Sequence, residues 1–351
     1  MTWDVALILG IDGLANGAVY LLAGLGLVLI FSVTRVVFVP FGDVAAFAAL
    51  SLAAFEAGRL PPTVGLVLTL AALAVVAECV SLARRGELSK IPRAILGWGL
   101  LPALPCALAW AVAGQQQLPH ALLIVSAILL VVPITPLVAR VALQPIADAS
   151  VLVLLIASLA LHFLLSGMGL LFFGPEGSRT APLVDGGVDL GGFMVTGQVL
   201  LMVVSALVLS GLFFLAFERT LIGKSLRATS VNRVGARLVG IRPARTALLA
   251  YTFASLLAGL IGVLIAPAMT MYYDSGFLIG LKAFVAAIIG GLVSYPLTAL
   301  GALAVGVVEA FGSFWSGALK DVIVFSLLIP VLVLRSALQH HSEEEPEEIE
   351  A

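Results

Sequence analysis

The chain has 351 residues, 61% of them hydrophobic and 11% charged, with a formal net charge of −2. Soluble domains carry about 25% charged residues, so this composition excludes a soluble enzyme or binding module and leaves a polytopic membrane protein. The near-neutral charge hides an asymmetry, because six of the twenty acids stand in the tail SEEEPEEIEA.

The opening residues, MTWDVALILGIDG, hold no basic n-region and no small-residue cleavage site, so the first apolar run reads as a retained span. At about 20 residues per crossing, candidate spans lie at 5–30, 36–56, 62–83, 95–113, 119–139, 150–173, 198–217, 246–268, 280–293, 296–315 and 320–336. The 280–293 segment is too short to cross unaided and reads as a half-helix or re-entrant piece, broken at Ser294, Tyr295 and Pro296. The expected fold class is therefore all-α: a polytopic transmembrane helical bundle of about 10–11 spans. Gly13 and Gly17 form a GxxxG on the first span, which permits close helix approach. Cys79 and Cys106 stand apart in apolar runs and read as small hydrophobes.

The long polar interval is 218–245, ERTLIGKSLRATSVNRVGARLVGIRPAR, with seven Lys/Arg against the single acid Glu218. Basic loops between spans stay cytoplasmic. Parity then places 84–93 (Arg84, Arg85, Lys90, Arg93), Arg35 and Arg140 inside, and the GQQQLP turn, the 174–197 loop and the N-terminus outside. The C-terminus is expected in the cytoplasm. Within the loop, Val231, Val234, Leu238 and Ile241 recur at helical spacing, with Ser230 as the expected N-cap and Gly240 as the stop. The pattern fits either a cytoplasmic helix that docks a soluble partner or a solvated basic turn.

Ile222 to Ser225 ends in GKS, the close of a phosphate-binding loop, but the glycine that motif needs five positions earlier is Glu218. If ATP is used, the ATPase is another chain. Paired catalytic carboxylates, HExxH and metal-ligand spacings are missing from the sequence, so no catalytic residue and no metal ligand is expected. His120 and His162 are single residues at or within spans, and His340 and His341 lie in the tail. Three charged residues interrupt apolar runs: Asp43 after the Pro40–Phe41–Gly42 break, Glu309, and Lys282. Such groups cost at least about 2.5 kcal/mol at mid-bilayer and face the protein interior. Each can line a solute path or form a buried pair, the second reading being the better for Glu309 and Lys282. A broken helix exposes backbone groups where it lines a cavity, which marks Phe41, Gly42 and Asp43 as candidate solute contacts.

The run YYDSGFLIGLKAFVAAIIGGLVSYPLTALGALAVGVVEAFGSFW, 272–315, resembles the permease subunits of branched-chain (hydrophobic) amino acid ABC importers. The shared features are Tyr272, Tyr273, Gly276, Phe277, Gly280 to Gly291, Ser294 and Glu309. Residues 13–36 resemble that family's opening span at Asn16, Gly17, Tyr20, Gly24 and Gly26. Residues 226–241 resemble its cytoplasmic loop at Arg227, Ala228, Asn232, Ala236, Gly240 and Ile241, and 143–161 is a weaker match. The chain departs from the pattern in reading Phe38-Val39-Pro40-Phe41-Gly42 where the family has an Asn-Phe-Ala-His-Gly-like sequence. It also departs in carrying what reads as a two-span insertion at 78–118, and in ending on an acidic tail.

The resemblance implies a transport subunit and no enzyme: the permease of an ATP-driven importer in a bacterial or archaeal plasma membrane. Its implied partners are a second permease chain, similar or identical, two ABC ATPase subunits, and a periplasmic or lipid-anchored substrate-binding protein. Membrane lipid surrounds it, and no nucleic acid is involved. The chain itself would hold no cofactor, ATP being bound by the partner ATPase. Residues 1–338 form the expected transmembrane permease domain, with 218–245 as its cytoplasmic coupling loop and 339–351 as an acidic, disordered cytoplasmic tail. The expected substrate pathway is Asn16, Tyr20, Phe41, Gly42, Asp43, Tyr272, Tyr273, Asp274 and Glu309, and the expected ATPase-coupling residues are Arg227, Ala228, Asn232, Ala236 and Gly240. A small apolar or zwitterionic solute suits such a path: branched-chain amino acids first, then amides, urea or aromatic carboxylates. The alternative is a stand-alone secondary transporter coupled to ions through Asp43 or Glu309, and a third reading is a membrane enzyme or scaffold.

Overall fold

The first apolar run becomes one long helix, α1 (Trp3–Thr34), because nothing in its 32 residues interrupts the backbone ladder until Arg35 turns to φ 63°. The computed structural model describes residues 3–115, 118–189 and 194–333, so the tail 339–351 and its two histidines lie outside the described residues. Then follow α2 (Phe41–Glu56), α3 (Thr63–Arg84), α4 (Leu88–Val112), α5 (His120–Ile146), α6 (Val151–Phe173) and α7 (Gly197–Arg219). After them come the short α8 (Leu221–Val231) and α9 (Arg233–Leu238), then α10 (Pro243–Ile265), α11 (Gly276–Ile289), α12 (Tyr295–Trp315) and α13 (Lys320–Ser326). Between α6 and α7, β1 (Gly187–Asp189) pairs antiparallel with β2 (Met194–Thr196).

Among the described residues eight helices are long and apolar enough to cross a membrane: α1, α3 to α7, α10 and α12. The chain is a multi-pass membrane protein. Three of the expected spans come out with different bounds. In 36–56 the Pro40–Gly42 break delays α2 to Phe41 and leaves it 16 residues. In 280–293 the helix starts four residues earlier, at Gly276, and ends at Ile289, where Gly291 (φ 70°) and Leu292 (φ 61°) enter the left-handed region. In 320–336, α13 ends at Ser326, Leu327 turns, and helix resumes over 328–333, where the described residues end. The interval 78–118 holds the last turns of α3 and one span-length helix, α4, rather than two whole spans.

α1 is the hub. Small residues let it meet α12 antiparallel at backbone distance: a Cβ on Gly13 would lie 2.7 Å from Val307 Cα, and one on Gly17 2.9 Å from Leu303 Cα. From the other side, a Cβ on Gly306 would collide with the Gly13 carbonyl and the Gly17 backbone. In a bilayer, water does not drive helices together, so contact of this closeness is what holds them. α10 approaches α2 the same way, Gly262 seating against the Ala45 carbonyl. The core runs through Phe38, Phe41, Phe47, Leu66, Leu130 and Tyr251, all buried. α4, α6 and α7 stand at the periphery with apolar faces turned outward.

The loops sort to two ends. At one end, Glu56 meets His120 (2.8 Å) and the Ala181 amide (3.1 Å), and Ser178 bridges Met271. At the other, Leu226 of α8 packs with Leu29, Val33 and Ala250. The second end carries the 84–93 and 218–245 loops and is called the basic end below.

Gly306→Leu should cost about 1–3 kcal/mol by overpacking α1 against α12 and lower the melting temperature of the protein in detergent. Gly211→Leu, at a position with nothing within 4 Å of an added Cβ, should leave it unchanged.

Candidate translocation site

The break between α1 and α2 is built by backbone contact. Gly42 and Gly276 approach so closely that a Cβ on either would strike the other's carbonyl, so the first turn of α2 seats directly on the first turn of α11. Ser158 of α6 accepts the Val39 amide at 2.9 Å and holds the loop from a third side. Asp43 follows in the first turn of α2, fully buried, where the helix N-terminus favours a carboxylate. Its Oδ2 lies 2.7 Å from His162 Nδ1, and the imidazole stacks on Phe277 at 4.4 Å between ring centroids. Asp43 Oδ1 is buried with no hydrogen-bond partner among the described residues. Phe41 fills the space over Gly26, where a Cβ would meet its ring at 2.5 Å.

The second cluster joins four helices. Lys282 Nζ of α11 donates to Glu309 Oε1 of α12 at 2.5 Å, and the Tyr20 hydroxyl of α1 donates to Glu309 Oε2 at 2.5 Å. Asp321 of α13 puts Oδ1 2.9 Å from Lys282 Nζ, an ion contact without hydrogen-bond geometry. Lys282, Glu309 and Tyr20 are all buried. Here the carboxylate, the ammonium and the phenol satisfy one another, as a buried charge requires.

Away from the basic end a cleft of about 500 Å³ opens beside α1, lined by Asp12, Asn16, Arg179, Asp185, Gln198 and Ser313 among others. Gln198 is fixed in it, donating to the Leu264 carbonyl at 2.7 Å and accepting the Leu183 amide at 3.1 Å. The cleft therefore combines a carboxamide, a guanidinium, carboxylates and apolar walls, a lining suited to a small zwitterion or amide.

At the basic end the 218–245 loop folds into two short helices rather than one. Ser230 does not cap; its hydroxyl bonds back to the Arg227 carbonyl inside α8. Thr220 caps α8 by accepting the Gly223 amide at 3.0 Å, and Asn232 caps α9 by accepting the Gly235 amide at 2.9 Å. Asn232 has an extended backbone, φ −149°, which ends α8 and starts α9 in one residue. Gly240, at φ 85°, stops α9 as expected. Leu226, Thr229 and Ala236 face inward, Thr246 donating to Thr229 Oγ1 at 3.1 Å. The opposite face exposes Val231 (80%), Leu238 (84%) and Val239 (74%) beside Arg227 and Arg237.

Residues 96–332 match the family model described as the branched-chain amino acid transport system permease component. The chain belongs to this permease family. The high-affinity branched-chain amino acid transport system permease protein BraD of Pseudomonas aeruginosa is 32% identical over 204 residues, 56% of this chain and 66% of that protein. The permease protein LivH of the same kind of system is 31% identical over 207 residues in Salmonella typhimurium, and 30% over 207 in Escherichia coli, each again covering 56% of this chain and 66% of the relative. The chain thus spans just under two thirds of the length of these relatives. No solved structure matches.

In the permease, the expected pathway residues divide among four places. Phe41, Gly42 and Asp43 stand at the α1–α2 break; Asn16 lines the cleft; Tyr20 and Glu309 belong to the buried ion cluster. Tyr272 and Asp274 are exposed on the turn before α11 and Tyr273 is half-buried against Gly169. Of the coupling residues, Arg227 pairs with Glu218 at 2.5 Å, Asn232 is exposed, and Ala228 and Ala236 lie along α8 and α9. His162, Ser158, Gln198 and Asp321 were not singled out as site residues from the sequence. Only the apolar run around His162 hints that it needs a partner, since its neighbours give no register that points 119 residues back to Asp43.

Glu309→Ala leaves Lys282 buried with Asp321 as its one counter-charge and should cost about 3–5 kcal/mol, read as thermal unfolding in detergent. The double variant Lys282→Met with Glu309→Met should recover most of that loss, because it removes both charges together.

Proposed function

We propose that this permease is the membrane-spanning subunit of an ATP-driven importer for branched-chain amino acids or a similar small, largely apolar zwitterion. The observation that carries the reading is the apolar face of α8 and α9, where Val231, Leu238 and Val239 stand exposed among arginines in a polar loop. Exposed apolar side chains in contiguous array mark a protein interface, and an ATPase subunit is the partner that such a loop in a transport permease would seat. This face would be cytoplasmic by its positive charge, and a crossing by the segment after α12 would bring the C-terminus to the same side. A second permease chain, two ATPases and a binding protein that delivers solute complete the assembly. ATP-driven closure would act on α8 and α9, and through Leu226 against α1 and α10, biasing the bundle between outward-open and inward-open states as a population shift.

Solute would pass from the cleft at Asn16 toward the α1–α2 break. There the unpartnered Asp43 Oδ1 offers an acceptor for an ammonium group, since a buried acceptor without a partner is rare in a folded protein. Ion-coupled transport through Glu309 is the weaker reading, because both its carboxylate oxygens are already committed to Lys282 and Tyr20.

Replacing Arg227 and Asn232 with alanine should abolish ATP-driven uptake, or release the ATPase, while membrane insertion stays at the parent level in a fractionation assay. Uptake at the parent rate by both variants would remove the coupling role. Accumulation of solute by the purified single chain in liposomes under an ion gradient, with no ATPase present, would sink the importer itself.

A further inference from the structure

Between α4, α5 and α10 runs a groove of about 640 Å³ on the lipid-facing side, lined by Trp98, Leu101, Leu104, Leu129, Leu137 and Leu248 among other apolar groups. Its origin is in the sequence. Pro102 and Pro105 in α4 and Pro133 and Pro136 in α5 line it, and none brings an N–H to the helical ladder. α4 and α5 also widen into π turns, at Leu96–Leu100 and at Ala139–Leu143. These features are enough to hold neighbouring helices apart. Its one polar side chain, Thr252, is turned inward on the helix, donating to the Leu248 carbonyl at 2.9 Å.

Arginines crown the basic end of the groove, one from each wall. Arg93 lies one turn before the lining residue Gly97, Arg245 one turn before Leu248, and Arg140 one turn after Pro136. Arg140 is held by Glu78 and stacks over Trp98, its Cζ 5.6 Å from the ring centroid. Arg93 and Arg245 are exposed and have no acidic partner among the described residues. Glu87, the nearest other acid in the loop, is taken by Lys90 at 2.7 Å.

We propose that this groove binds one anionic glycerophospholipid, an acyl chain lying along the apolar walls and the phosphate at Arg93 and Arg245. Lipid tails in the bilayer are as apolar as the groove, so the chain alone would not be selected. Selection rests on the headgroup, where a basic pocket between helices recognises anionic lipid. Such a lipid would tie α4, which lies at the edge of the bundle, to α10, which adjoins α8 and α9.

The test uses the full-length chain in phosphatidylcholine nanodiscs containing a minor fraction of phospholipid with brominated acyl chains, which quench nearby tryptophan. The signal from Trp98 is the difference between the parent and Trp98→Phe. Brominated phosphatidylglycerol should quench that signal at roughly tenfold lower mole fraction than brominated phosphatidylcholine. In Arg93→Gln with Arg245→Gln, the two lipids should become equal. Equal quenching by both lipids in the parent would overturn the proposal by leaving a groove filled with bulk lipid. No quenching by either would overturn it by showing the groove covered by protein, a second copy of the chain included. The parent comparison stands even where the double variant fails to fold.

Discussion

Glu309 holds three helices together at one point. Its two carboxylate oxygens take Lys282 from α11 and Tyr20 from α1, each at 2.5 Å, while it rides on α12. A carboxylate or an ammonium alone at that depth would be among the costliest groups in the protein, and water cannot relieve it. The positions of α1, α11 and α12 are therefore tied to one another: moving any of the three uncovers a charge. Asp321 extends the same constraint to α13.

Around that pin the bundle closes by backbone contact. The glycines at 13 and 17 meet α12, and Gly262 meets α2; at the α1–α2 break, Gly42 meets Gly276. The last contact bears on the proposed solute path. It joins the start of α2 to the start of α11, so the segment bearing Asp43 and the segment bearing Lys282 are neighbours through their own main chains. A rearrangement that opened a path there would have to separate Gly42 from Gly276 or move α2 and α11 as a unit.

Much of this was legible from composition and periodicity. Long apolar runs specify span-length helices because the bilayer leaves backbone groups no other partner. The end of α9 at Gly240 was legible too, since glycine alone adopts φ 85° without strain. The break between α8 and α9 was not. Ser230 and Asn232 are both good capping residues, and which one caps depends on where Leu226 and Thr229 must face to pack against α1 and α10. The start of α2 and the bounds of α11 were hidden likewise, because apolar residues run across the Pro40–Gly42 break and past the left-handed turn at Gly291 and Leu292.

By itself, the sequence determined that the chain crosses a membrane, which loops are basic, and that Asp43, Lys282 and Glu309 would face the protein interior, either along a solute path or in a buried pair. Those conclusions rest on transfer energies, which belong to residue types and do not depend on arrangement. Which partner each charge found was decided only by tertiary structure. Lys282 and Glu309 are 27 residues apart, Tyr20 and Glu309 are 289 apart, and Asp43 and His162 are 119 apart. No local pattern spans such separations, because helix periodicity tells which face a residue occupies and leaves open which helix that face will meet.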